Sequence, residues 1–192
     1  MQSRITTKRG DRGETVALSG ETYSKSHAVM ACVGTLDELR AHAAWLRLRI
    51  REEQPRDADT LCDFLFWLLH MFFVLGTFCS DPLCKHPEYH KRALSPADLD
   101  KLEKEQERLE SQIDLPAAFV VSASNSLAAQ ADVTCTVARR LEREFVRLVE
   151  TIPGLPGDLP LAFLNRLGDY FFVLARFIES PKHETVDYHA LD

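Results

Sequence analysis

Apolar residues recur at three- and four-residue steps along most of this chain, the period of an α-helix packed on one side. Val29, Val33, Leu36, Leu39, Ala43, Leu46 and Ile50 make one stripe, which predicts a first helix over 27–51, ended by Gln54 and Pro55. A second helix is predicted over 59–79 from Leu61, Phe64, Leu65, Leu68, Phe72, Leu75 and Phe78. Its other faces, with Phe66, Trp67, Leu69, Met71, Phe73 and Val74, are apolar too, so this helix is expected to be central or covered by another subunit. Its most apolar run, 64–79, falls short of the ~20 residues of a membrane crossing and carries His70 in its middle, which favours burial.

Three more helices follow. Ser95 as N-cap, Pro96 in the first turn and Asp98 behind it open a third helix, whose stripe is Leu99, Leu102, Leu109 and Ile113 and whose stop is Leu115 and Pro116. Leu127, Ala131, Thr134, Ala138, Leu141, Phe145 and Leu148 predict a fourth over 126–150. Pro153, Gly154, Pro156 and Gly157 break it, and a fifth runs over 159–178, with Asp158 as its expected cap and Pro160 in its first turn. Strand patterns are nearly absent, and 119–122 is too short to build a sheet. The expectation is a single all-α domain, a five-helix bundle. It divides into an N-terminal segment 1–27, the bundle 28–180 and a polar, mobile tail 181–192.

The chain's 192 residues suffice for a core without disulfide or metal staples. A net charge of −6 argues against a broad basic face for nucleic acid, while leaving room for a local anion pocket. Five cysteines, an odd number in a chain that needs no bridges, point to a reducing, cytoplasmic setting; the polar first twenty residues have no apolar stretch of a secretory signal. Cys79, Cys84, His86 and His90 are metal-ligand types close together, but their spacing is only loosely zinc-like. Free thiols and solvated histidines are expected there, with no resident metal.

Cations concentrate in two places. The stretch Thr6-Thr7-Lys8-Arg9-Gly10-Asp11-Arg12-Gly13-Glu14-Thr15, followed by Ser19, Gly20 and Lys25, combines glycines, hydroxyls and positive charge. Such a loop can bring backbone N–H groups and ammonium or guanidinium groups against phosphate oxygens. It lacks the glycine–lysine–serine/threonine ending of a Walker loop, and a flexible polar terminus accounts for its composition equally well. On the fourth helix Arg139, Arg143 and Arg147 succeed one another at four-residue steps beside Arg140 and Glu142. Like charges at that spacing repel, so solvent or an anion must relieve them. Asn165, Arg166 and Asp169 stand near the start of the fifth helix; a solvated face of ion pairs is the plainer account.

Four boxes in order resemble those of the ATP:cob(I)alamin adenosyltransferases of the trimeric five-helix-bundle type. Thr7-Lys8-Arg9-Gly10-Asp11-Arg12-Gly13-Glu14-Thr15 is similar to that family's glycine-containing loop, and Gly34-Thr35-Leu36-Asp37-Glu38-Leu39 to its next box. Val137-Ala138-Arg139-Arg140-Leu141-Glu142-Arg143 resembles its arginine helix, and the segment from Leu164 to Arg176 its closing box. The resemblance implies transfer of the 5′-deoxyadenosyl group of ATP to the cobalt of cob(I)alamin, releasing triphosphate. It implies ATP and cobalamin as substrates, Mg²⁺ on the phosphates, and a homotrimer with ATP between subunits. By matching position, Thr7, Lys8, Gly10, Asp11, Gly13, Thr15 and Lys25 would line the phosphates, Arg139, Glu142 and Asn165 would contact ATP, and Phe119 would lie near the corrin and help exclude its lower axial base. No membrane partner is implied.

The departures bear on rate. Arg9 replaces a threonine of the loop, Thr22 stands where the family carries arginine, and Ser122-Ala123-Ser124 replaces a proline-glycine-glycine turn. Cys135 stands where the family has an arginine that pairs across the subunit interface with the aspartate matched by Asp37. Breaking a buried charged pair costs ~3–5 kcal/mol. A second reading is therefore a relative that binds ATP or cobalamin as a carrier or sensor without transferring. A Cys135→Arg variant separates the two: higher turnover by the variant, measured as adenosylcobalamin formed, is the outcome expected of the impaired relative.

Overall fold

In a computed structural model, which describes residues 8, 10–181 and 183–191, the five helices form as the periodicity predicts. They are α1 (Ala28–Glu53), α2 (Ala58–Ser80), α3 (Pro96–Glu110), α4 (Ser126–Thr151) and α5 (Asp158–Glu179). Helix α1 starts one residue later than predicted because His27 is its cap, its ring Nδ1 accepting the Val29 N–H at 3.2 Å. Ser95 is the N-cap of α3 as expected, and Asp98 completes a capping box with it, but that helix stops at Glu110, before the apolar stripe runs out. Asp158 is the first residue of α5, not its cap; Gly157 precedes it, and no side chain caps that end.

α4 lies between α1 and α5, α2 packs on α1, and α3 packs on α5. Aromatic side chains close the ring between α2 and its neighbours: Phe64 meets Tyr170 with centroids 5.0 Å apart, and Phe78 meets Phe145 at 5.9 Å. α3 seals the remaining groove, with Lys101 over the Trp67 ring and Arg108 paired to Asp57 at 2.7 Å. α2 is 23 residues long, longer than the run counted in the sequence, and by length and composition alone it could cross a membrane. Here its Leu61, Leu65, Leu68, Phe72 and Leu75 are buried in the bundle core, while Phe66 and Phe73 face out.

Two parts depart from expectation. The N-terminal segment holds a hairpin, β1 (Glu14–Val16) antiparallel to β2 (Thr22–Ser24), with Thr15 opposite Tyr23. It is tied to the end of α2, where Ser80 Oγ accepts the Leu18 N–H at 2.9 Å, and to the start of α1, where Tyr23 stacks on His27. The described part of the tail pairs with the loop before α4: Val120 bridges to Thr185, the Val121 N–H donates to Glu184 O at 2.7 Å, and the Val186 N–H donates to Phe119 O at 2.8 Å.

The loop after α2 is organised by one fully buried carboxylate. Asp81 accepts the backbone N–H groups of Lys85 (2.9 Å) and His86 (2.8 Å) and lies 3.1 Å from the His90 ring. Burial opposes its charge, but those bonds outweigh it and hold the carboxyl below its ordinary range. A carboxyl depressed in the fold stabilises above its unfolded value, ~4, and loses that contribution as pH falls further. Calorimetry is expected to show Tm falling as pH drops below about 4, and Asp81→Asn is expected to have a lower Tm at pH 7 with a shallower acid fall.

Candidate functional site

The amphipathic period that buries one side of α4 leaves Arg139, Glu142, Arg143 and Val146 on its outer side, beside Asn165 and Asp169 of α5. These six residues line an open cavity of about 360 Å³. Asn165 donates to Glu142 Oε1 at 3.0 Å, and Arg143 Nη1 donates to the Arg139 carbonyl at 3.1 Å. Asp169 is shared with Arg166 at 2.9 Å, and Arg166 reaches on to Glu103 of α3 at 3.2 Å. Among the described residues the Arg139 guanidinium has no hydrogen-bond or ion-pair partner, so the cavity presents an uncommitted cation.

The position of Arg139 depends on Gly168. The Arg139 side chain crosses α5 there so closely that a Cβ on Gly168 would lie 3.1 Å from Arg139 Cγ. Beneath it the buried Cys135 thiol donates to the Gly168 carbonyl at 3.2 Å. Burial pushes that thiol up, against the pull of Arg139, so Cys135 is a neutral packing group and not a nucleophile.

The predicted site residues fall into separate groups within one chain. Arg139, Glu142 and Asn165 come together; Arg143 and Asp169, singled out in the sequence but not assigned to the site, join them, as does Val146. Lys8, Gly10, Asp11, Gly13, Thr15 and Lys25 belong to the hairpin end, and none lines the cavity. There two turns, Asp11 N–H to Lys8 O (3.4 Å) and Gly13 N–H to Gly10 O (3.3 Å), wrap under Lys25, whose Nζ donates to Gly10 O at 2.7 Å. Gly13 has φ +84°, a conformation that favours glycine. Thr7 and Arg9 lie outside the described residues.

Asp37 lines a different groove, between α1 and α2, with Arg40, Phe66, His70 and Phe73. Within the chain, Arg40 pairs with Asp37 at 2.9 Å and stacks over the Phe73 ring at 4.7 Å. Both partners are largely exposed, so the pair contributes little to stability. The i,i+3 spacing was visible in the sequence. Phe119 sits on the loop before α4, 77% exposed. The four metal-ligand types diverge: Cys79 is buried 3.5 Å from Cys32, His90 is bound to Asp81, His86 to Glu88, and Cys84 is exposed. Among the described residues no three His, Cys, Asp or Glu side chains gather as a metal site.

Over residues 5–178 the chain matches the family described as cobalamin adenosyltransferase. The corrinoid adenosyltransferase MMAB of Homo sapiens is 30% identical over 174 residues, which cover 91% of this chain and 68% of that protein. The corrinoid adenosyltransferase of Mycobacterium leprae (strain TN) is 28% identical, covering 91% of this chain and 90% of that one. PduO of Salmonella typhimurium is 27% identical, and this chain spans 51% of its length. A variant of the PduO-type ATP:corrinoid adenosyltransferase from Lactobacillus reuteri, solved with cobalamin and ATP, superposes with a TM-score of 0.84 over 96% of this chain and 97% of that one. At 23% identity that likeness establishes the fold.

Gly168→Ala tests the crossing of Arg139 over α5. The added methyl is expected to displace the Arg139 side chain and weaken binding of inorganic triphosphate by roughly tenfold in calorimetry, the scale of one charge-assisted contact, while the helical circular dichroism stays unchanged.

Proposed function

The chain belongs to the cobalamin adenosyltransferase family, and from that membership we infer that it transfers the 5′-deoxyadenosyl group of ATP to the cobalt of cob(I)alamin. The new bond joins cobalt to C5′. The C5′–oxygen bond breaks, and the electron pair leaves on triphosphate. Reduced cobalt is itself the nucleophile, so no side chain need attack, in keeping with a site whose one nearby thiol is buried and neutral. The protein's part is to align C5′ with cobalt and to stabilise the charge that grows on the leaving oxygens.

The observation that carries this reading is the α4–α5 cavity, where Arg139 is uncommitted beside Glu142 and Asn165. Arg139 would neutralise the phosphates, and Asn165, braced by Glu142, would orient the nucleotide. Within one chain the glycine-containing turns and Lys25 do not line this cavity. That separation supports a homotrimer in which the N-terminal segment of one copy, including Thr7, Lys8, Gly10, Asp11, Gly13 and Thr15, closes over the cavity of the next. The outward Phe66 and Phe73 of α2 are apolar surface of the kind a subunit contact covers. Mg²⁺ would accompany the phosphates.

Phe119 is the group proposed to meet the corrin. A bare aromatic ring against the lower face of cobalamin excludes the axial base, which makes cobalt easier to reduce. The free cysteines suit a reducing cytoplasm, and no nucleic-acid or membrane partner is proposed.

Anaerobic turnover tests the function. Cob(I)alamin with ATP and this protein is expected to lose the cob(I)alamin absorbance and yield adenosylcobalamin and triphosphate. Arg139→Ala is expected to lower kcat/KM for ATP by roughly a hundredfold. Absence of product at high protein concentration would sink the proposal. ATP or cobalamin binding without product would select the carrier or sensor.

A further inference from the structure

The fifth helix ends in a buried cluster of charges that the reaction itself does not use. Glu179 and Arg176 are almost fully buried, and Arg176 Nε lies 3.0 Å from Glu179 Oε2, an ion pair whose geometry does not make a hydrogen bond. Arg176 Nη2 reaches Asp132 of α4 at 2.7 Å. The ring of His183, also buried, lies with Nδ1 3.2 Å from Glu179 Oε2. The second oxygen, Glu179 Oε1, accepts the backbone N–H of Ser124 in the loop before α4. One carboxylate thus joins two stretches of chain that are far apart in sequence, the Phe119 loop through Ser124 and the tail through His183. Burial opposes its charge, but the Ser124 N–H, the His183 ring and the Arg176 guanidinium outweigh it and keep Glu179 ionised.

Just past these two anchors the stretches pair. Val121 donates to Glu184 O, Val186 donates to Phe119 O, and Val120 bridges Thr185. Phe119 therefore stands at the free end of a short two-stranded flap whose base is clamped by Glu179. Phe119 is 77% exposed, so the path of the main chain decides where its ring can reach.

We propose that Glu179 and His183 are positioning residues for Phe119: by clamping the base of the flap they fix where the aromatic ring meets the corrin face, and with it how completely the lower axial base is excluded. This rests on the corrinoid adenosyltransferase reading. Glu179 and His183 are four apart, a spacing readable in the sequence, but the third partner, Ser124, is not.

His183→Ala removes the tail's anchor without leaving a buried charge unpaired, since Arg176 keeps Glu179 and Asp132. Hydrogen exchange at the Val121 and Val186 amides is expected to accelerate at least roughly tenfold, the loss of one charge-assisted contact. KM for cob(I)alamin is expected to rise by about the same factor while KM for ATP stays put. The electron paramagnetic resonance spectrum of bound cob(II)alamin with ATP is expected to show a smaller share without the lower ligand. Glu179→Gln, which keeps an oxygen for Ser124 but loses the charge that faces Arg176 and His183, is expected to move all three in the same direction as His183→Ala. Unchanged exchange and unchanged corrin KM in His183→Ala would overturn the proposal, as would equal rises in both KM values, which mark a general loosening. If the natural protein makes no adenosylcobalamin, the functional reading fails. Amide exchange, which needs no activity, then decides the clamp separately.

Discussion

Helices α4 and α5 meet at Gly168, where the absence of a side chain lets the Arg139 methylenes pass directly over the α5 backbone and the Cys135 thiol reach the Gly168 carbonyl. The rest of the site follows from that approach. With α5 so close, Asn165 comes within hydrogen-bond reach of Glu142, Asp169 is drawn to the rim with Arg166, and Arg139 is left aimed outward with no partner among the described residues. A larger residue at 168 would separate the helices or turn the arginine aside. The same pair of helices carries the second feature of interest at its other end, where Asp132 of α4 and Arg176 and Glu179 of α5 anchor the Phe119 flap. The α4–α5 cavity and the anchor of the Phe119 loop thereby lie on one pair of helices.

Most of the helical framework was legible in the sequence because each helix is long enough for its apolar period to repeat. The Ser95–Asp98 cap was legible for a different reason: it is a local hydrogen-bond pattern. The hairpin was not, since three-residue strands offer no alternation to count. Nor was the docking of the tail, which depends on Val120 and Thr185 meeting from distant parts of the chain. At the site, Arg139, Glu142 and Asn165 were found through a resemblance, and the spacing of Arg139 and Arg143 had already put them on one face. The pair of Asp37 with Arg40, three residues on along the same helix, is a local one that the sequence spacing alone permits; it is distinct from the cross-subunit partner that the resemblance implies for position 135.

Charge ties these observations together. A chain of net charge −6 is a poor surface for a polyanion, yet it holds one free arginine in a partly walled cavity and a lysine beside glycine-containing turns. Two such places on one chain, each lacking the other's groups, are the arrangement that the proposed site shared between copies would need. Under the proposed sharing, Cys135 would remove one cross-subunit contact while Arg139 and Lys25 stay in place.

Subunit complementation measures that sharing directly. Lys25→Ala and Arg139→Ala proteins, each inactive or nearly so, would be unfolded together, refolded as mixed oligomers and assayed for adenosylcobalamin formation. A site built from the N-terminal segment of one copy and the α4–α5 cavity of another predicts recovery at about one site in four, from random pairing of equal amounts. Mixed oligomers no more active than the separate variants would contradict a shared site.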